Sequence, residues 1–243
     1  MTRDEKIFLS AEWRDLLMLN YEVDPAILLK YAPAGTELDS FAGKTYVSLV
    51  GFRFCRTKLL GVLPIPFHSE FEEINLRFYV KRRDGNEIRR GVVFIVEIVP
   101  KQAIALTARW FYAENYVRRQ MAHSVRSTNA NFEVEYSWNS RNRPCKLKAQ
   151  ASGTPLLPDE GSLEQFVTEH YWGYSRQPDG STVEYHVSHA PWKVWNASHA
   201  EFSGDTRDLY GNELPAVLMQ APASAFIADG SPVQVFRGRS MSS

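Results

Sequence analysis

Only two cysteines, Cys55 and Cys145, occur in 243 residues, ninety positions apart, with no CxxC step and no cysteine/histidine cluster. This excludes the paired framework that small secreted domains use, and it makes a reducing cytoplasm the expected home. Excess charge is also missing, because 28 Lys plus Arg face 28 Asp plus Glu. A chain with no net field has little grip on a polyanion or an anionic bilayer, so no nucleic acid and no membrane is expected as a partner. The longest apolar run, 91–99, is interrupted by Glu97 and falls far short of the roughly 20 residues a bilayer crossing takes. The opening residues, Met1-Thr2-Arg3-Asp4-Glu5-Lys6, lead to Trp13 and Arg14 without an apolar core and do not read as a signal peptide. GxGxxG and GxSxG are absent, and Gly43-Lys44-Thr45 has Leu38 where a phosphate loop needs its first glycine. No cofactor is implied.

What the chain does have is 44% hydrophobic and 13% aromatic residues, a composition that favours pleated structure. Strands are predicted at 16–23, 44–54, 70–83, 87–99, 126–137, 145–152, 182–187, 193–202 and 224–228. Asp24-Pro25 opens a short helix through Tyr31, Ser162 caps another over 163–171 on which Phe166 and His170 share a face, and a third is expected around 205–210. The segment after Pro100 is rich in helix formers, so central helices are expected over 101–108, running to Tyr112 and restarting near 116–123. Asp84-Gly85-Asn86 is a hairpin signal. No repeat or linker divides the chain. The expectation is one domain, 1–243, of α+β class, mostly antiparallel β, with a few helices outside.

His186 and His189 invite a metal, yet three positions apart on a strand they face opposite sides, so ring packing explains them better and no metal site is expected. Lys81-Arg82-Arg83 and Arg89-Arg90 flank the hairpin turn and read as a solvated edge that discourages strand addition. The strand 70–83 carries the candidate site. Ile74, Leu76, Phe78 and Val80 point one way, while Glu73, Asn75, Arg77 and Tyr79 point the other. Periodicity alone favours a wet polar row. If the sheet closes, the row lines its interior, and carboxylate, amide, guanidinium and phenol converge in a ring-lined space.

Several stretches carry a resemblance: 17–25 (Leu-Met-Leu-Asn-Tyr-Glu-Val-Asp-Pro) with Leu28-Leu29, Pro33 and Glu37-Leu38, then Tyr46-Val47-Ser48-Leu49-Val50, the run 73–80, and His189-Ala190-Pro191-Trp192. Across nearly the whole chain the sequence resembles the family named domain of unknown function 2071, grouped by fold with acetoacetate decarboxylase. The resemblance implies a curled antiparallel sheet forming a cone-shaped β-barrel around a cavity, helices outside, and the Glu73 row turned inward. It implies no established activity. The decarboxylase forms a Schiff base from a lysine placed after an arginine motif. In the similar stretch here, 103–116, Arg109 matches that arginine, but the lysine position falls on Asn115 or Tyr116, and no lysine occurs from Gln102 to Cys145. Neither an amide nor a phenol forms an imine, so the parent reaction is expected to be absent. Glu73 resembles one acidic site residue, and Glu22 stands where an early site arginine belongs.

The expected function is binding of a small organic acid or other oxygenated metabolite without a covalent lysine. Glu73 would be proton acceptor or anchor, Arg77 and Arg109 anion clamps and Tyr116 a donor, with Asn75 and Tyr79 completing the row. The alternative is a non-catalytic structural or partner-binding module on the same scaffold.

Overall fold

The computed structural model describes residues 6–64, 69–100, 115–128, 131–141 and 143–241. The longest strands are β1 (Ile7–Val23), β3 (Thr45–Leu59), β5 (Phe71–Asp84), β6 (Glu87–Val99) and β14 (Ser224–Phe236), followed by β9 (Asn131–Ser140) and β10 (Arg143–Ser152). The remaining strands are β2 (Glu37–Leu38), β4 (Leu63–Pro64), β7 (Tyr116–Arg118), β8 (Met121–Ser127), β11 (Trp172–Arg176), β12 (Thr182–His189), β13 (Val194–Ser203) and β15 (Arg239–Ser240). The helices are short: α1 (Pro25–Leu29), α2 (Leu163–Thr168), α3 (Arg207–Tyr210) and α4 (Glu213–Leu218).

The hydrogen-bonded order is β15-β12-β11-β6-β5-β3-β1-β14-β13-β10-β9-β8, and almost every pairing is antiparallel. The exceptions are β11 and β7, each parallel to β6. β12 pairs with β14 as well, through Val187↔Val235 to His189↔Val233. Following partners from β12 through β11, β6, β5, β3, β1 and β14 therefore returns to β12. Curvature has a local source in β1 and β3, where Asp15 and Arg56 take positive φ of 54° each, and the β1–β3 register slips between Ser10 and Glu12 and between Arg14 and Leu17. An extra residue on one strand bends it and sharpens its twist.

Both faces of β5 are buried. On the outer face, Ile74, Leu76, Phe78 and Val80 join Leu17, Leu19, Val47 and Leu49 in one apolar cluster with Tyr136, Trp138 and Leu147. The strands β8, β9, β10 and β13 thus cover this face of the sheet. Gly51 permits their approach, since a Cβ there would sit 2.6 Å from the Tyr136 ring. On the inner face, Met18, Val50, Phe52, Phe54, Tyr79 and Phe226 form a second cluster with Phe166, Val167 and Trp192. Both predicted caps form: Asp24 accepts from Ala26 N–H at 2.9 Å and Ser162 from Gln165 N–H at 3.1 Å.

Two expectations need correction, and one falls outside the described residues. The helix restarting near 116–123 is instead β7 and the start of β8, because pairing with β6 and β9 outweighs local helix propensity. The helices over 101–112 lie outside the described residues. The solvated cationic edge is wrong for Arg82 and Arg89, whose side chains are only 17% and 12% exposed and converge on the wholly buried carboxylate of Glu184. Strand β11 and helix α4 have no counterpart among the predicted elements.

Candidate functional site

The polar row is buried, with Glu73 and Asn75 2%, Arg77 8% and Tyr79 1% exposed. Tyr116 is half-buried on β7, opposite Glu97, and packs against the inner cluster. Arg109 lies outside the described residues. Glu22, by contrast, is exposed at the end of β1 and pairs with Lys44 at 2.6 Å. An open cleft of about 730 Å³ runs past it, lined by Tyr21, Val23, Ile27, Val217 and Gln220.

Tyr79 ends a buried chain of hydrogen bonds whose direction is fixed by proton counting. Ser48 Oγ donates to Asn20 Oδ1 at 2.6 Å, and its single hydroxyl proton is then used. The contact between Ser48 Oγ and Tyr79 Oη, 2.5 Å, must run from the phenol to the serine. Asn20 Nδ2 donates onward to Ser224 Oγ at 2.9 Å, which ties β3 and β5 to β1 and β14. Tyr79 is therefore a brace that can accept from a ligand but not donate to it.

Arg77 has more to offer. Its Nη2 donates to the Val167 carbonyl at 3.0 Å, and its guanidinium lies 5.8 Å from the Tyr79 ring centre. Its Nε has no hydrogen-bond partner among the described residues. Asn75 donates through Nδ2 to Glu73 Oε1 at 3.2 Å and stands opposite Glu97 on β6, while its own Oδ1 is unpartnered among the described residues. A buried donor or acceptor left unmatched costs about 1–3 kcal/mol. No described lysine is buried.

Sequence reasoning missed two groups at this face. His170, just after α2, has a side chain 1% exposed, and its ring lies 4.8 Å from that of Tyr79 and 4.9 Å from that of Phe166. Its Nε2 is 3.2 Å from Asp39 Oδ2, which also takes Arg90 Nε at 2.7 Å. Burial pushes the imidazole below its usual range, with Arg90 and Arg77 acting in the same sense and Asp39 opposing. Burial alone would raise Asp39, but the bonds from His170 and Arg90 hold its carboxyl well below the usual range. The available signal was the shared helical face of Phe166 and His170; Asp39, 131 positions away, had none.

At the other end of the same face stand Trp13, Trp192 and His189. His189 stacks on Trp192 with centroids 4.2 Å apart and lies 4.9 Å from Tyr171. His186 instead stacks on Phe236, 5.2 Å away. Both histidines pack on rings, and among the described residues no group of three or more His, Cys, Asp or Glu is arranged to hold a metal. Burial pulls His189 from 6.5 down to about 4, Arg77 adding to this and the Ala190 carbonyl, which accepts from Nδ1, opposing it. A depressed histidine confers stability that is complete above pH 6.5 and is lost as pH falls toward 4. Stability should fall by about 2–3 kcal/mol across that window, and His189→Phe should flatten the decline. Urea unfolding at several pH values measures both; equal slopes in the two proteins would refute the assignment.

Among solved structures, an acetoacetate decarboxylase from Legionella pneumophila superposes with a TM-score of 0.69 at 11% identity, over 97% of this chain and 87% of its own. An acetoacetate decarboxylase-like enzyme from Sphingomonas wittichii RW1 gives 0.67 at 14%, over 97% and 93%. The enduracididine biosynthesis enzyme MppR, complexed with pyruvate, gives 0.66 at 15%, over 100% and 92%. At these identities the fold alone is shared, and it is the mostly antiparallel fold expected. In sequence, the uncharacterized protein YqjF of Bacillus subtilis (strain 168) is 28% identical over 204 residues, 84% of this chain and 81% of its own length. A family model matches residues 10–232, which contain the Glu73 row, Tyr116 and His170 alike, and the chain accordingly belongs to DUF2071, described as uncharacterized conserved protein.

Proposed function

We propose that the protein binds a small, oxygenated carboxylic acid on the inner face of its ring of strands and holds it by polar contacts rather than by an imine. The circuit of pairings is read as a cone-shaped barrel in one domain, with Arg77 as the anion clamp and Glu73, Asn75 and Tyr116 as further contacts. Arg109 is assigned as a second clamp from the resemblance alone. One observation carries the reading: an almost fully buried guanidinium and amide keep Nε and Oδ1 unmatched among the described residues, beside rings that exclude water. The fold of MppR complexed with pyruvate suggests the size and class of guest. The eight described lysines are exposed or half-exposed, which supports non-covalent holding.

The test is thermal stability with a panel of hydroxy and oxo acids, including lactate and pyruvate, for the wild type and Arg77→Met. At least one acid should raise the melting temperature, and the variant should weaken its binding by roughly ten- to a hundredfold, the effect of losing a hydrogen bond to a charged group. Borohydride with pyruvate should leave no covalent adduct. Silence across the panel, or a lysine adduct, refutes the reading.

A further inference from the structure

The geometry points to His170 as the group that selects a hydroxy acid over the corresponding oxo acid, by offering its Nδ1 lone pair to the ligand hydroxyl beside Arg77. This rests on the inner-face reading above and names the substrate class within it.

The tautomer follows from the partners. Asp39 Oδ1 takes the Ser40 backbone N–H at 3.0 Å, and Oδ2 takes Arg90 Nε and faces His170 Nε2. An ionised carboxylate only accepts, so Nε2 must carry the proton. The charged and titratable groups facing the imidazole are Asp39 from the loop after β2, Arg90 from β6, and Arg77 and Tyr79 from β5. With burial and two guanidiniums against a second proton, the ring is neutral near pH 7 and Nδ1 holds a lone pair.

That lone pair is buried and has no hydrogen-bond partner among the described residues. Tyr79, whose ring touches the imidazole, cannot fill it, because its phenolic proton goes to Ser48. Arg77 is held to the carbonyl of Val167, three residues before His170, and both side chains lie within 6 Å of the Tyr79 ring centre. A carboxylate on Arg77 thus brings its neighbouring substituent toward an acceptor. A hydroxyl there donates to Nδ1. A carbonyl oxygen sets lone pair against lone pair. A site built to receive a hydroxyl rejects an analogue lacking it more strongly than apolar packing can.

Titration of the wild type with lactate against pyruvate, and 3-hydroxybutyrate against acetoacetate, reads the preference as a ratio of dissociation constants at pH 7.5. At least tenfold tighter binding of one hydroxy acid over its oxo partner is expected, and it should shrink only once the pH has fallen below the ordinary imidazole range, where the ring gains its second proton and becomes a donor. His170→Phe, which fills the ring's place but offers no acceptor, should erase the preference by weakening the hydroxy acid at least tenfold while leaving the oxo acid within threefold. Independently of any ligand, nitrogen-15 resonances of the free protein should show His170 as the neutral Nε2–H tautomer at pH 7.5. Equal or tighter oxo-acid binding, a preference that survives His170→Phe, or an Nδ1–H tautomer overturns the assignment and leaves the inner-face reading standing. Failure of all four acids to bind overturns both.

Discussion

Glu184→Ala is expected to lower the unfolding free energy by about 3–5 kcal/mol, the range for removing one side of a buried ion pair. The carboxylate is wholly buried and accepts from Arg82 Nη1, Arg89 Nη1 and Arg239 Nη2, each at 2.8 Å, and from the Tyr174 hydroxyl at 3.1 Å. Without it, three guanidiniums face one another with, among the described residues, Asp84 and, for Arg89, Glu87 left to pair with them. Arg89 also covers the Trp172 ring at 4.4 Å, so its displacement would disturb the short parallel contact between β11 and β6. Urea denaturation measures the loss, and Glu184→Gln, which keeps one acceptor oxygen, should fall between. A loss below about 1 kcal/mol for the alanine variant would place this cluster among ordinary surface pairs and refute the account.

Gly230→Ala should be comparably damaging for a different reason. Gly230 has a φ of +78° and pairs with Arg14 at the kink of β1, where an added Cβ would stand 2.0 Å from the Trp13 carbonyl oxygen. Left-handed backbone strain contributes roughly 1–2 kcal/mol and the forced displacement another 1–3, so a total of about 2–5 kcal/mol is expected. Gly180→Ala is the control: its φ is +86°, but nothing lies within 4 Å of the added carbon, so only the strain remains. Equal losses at the two positions would show that the Trp13 contact yields easily.

The sequence made the strand cores legible where period-two patterns were uninterrupted. Ile74 to Tyr79 sorts onto two faces as its alternation requires, and Asp84↔Glu87 closes the hairpin around Gly85-Asn86. The pattern could not show that both faces are covered, because the outer lid comes from Tyr136, Trp138 and Leu147, far along the chain. It also could not carry a strand through a kink. The slips near Ser10 and Asp15 hide the first half of β1, and Gly230 and Pro232 hide the second half of β14. Glu184 and Asp39 were illegible for the same physical reason. A lone carboxylate in a short strand or loop reads as wetted unless its counterions, from other strands, are known. Of the site, the Glu73–Tyr79 row was legible from period alone, and its burial was not.

The long partnership of β1 with β14 sets an order of events during synthesis. Asn20 and Ser224 are 204 residues apart, yet they meet in one ladder that runs from Ile7 to Asn20 and along the whole of β14. While the ribosome is still extending the chain, β1 can dock on β3, but its other edge has no mate until residues 224–236 emerge. A nascent polypeptide with so apolar and so extended an open margin is prone to sticking to its neighbours, so folding helpers that shield early strands should raise the yield of this protein more than that of one built from adjacent hairpins.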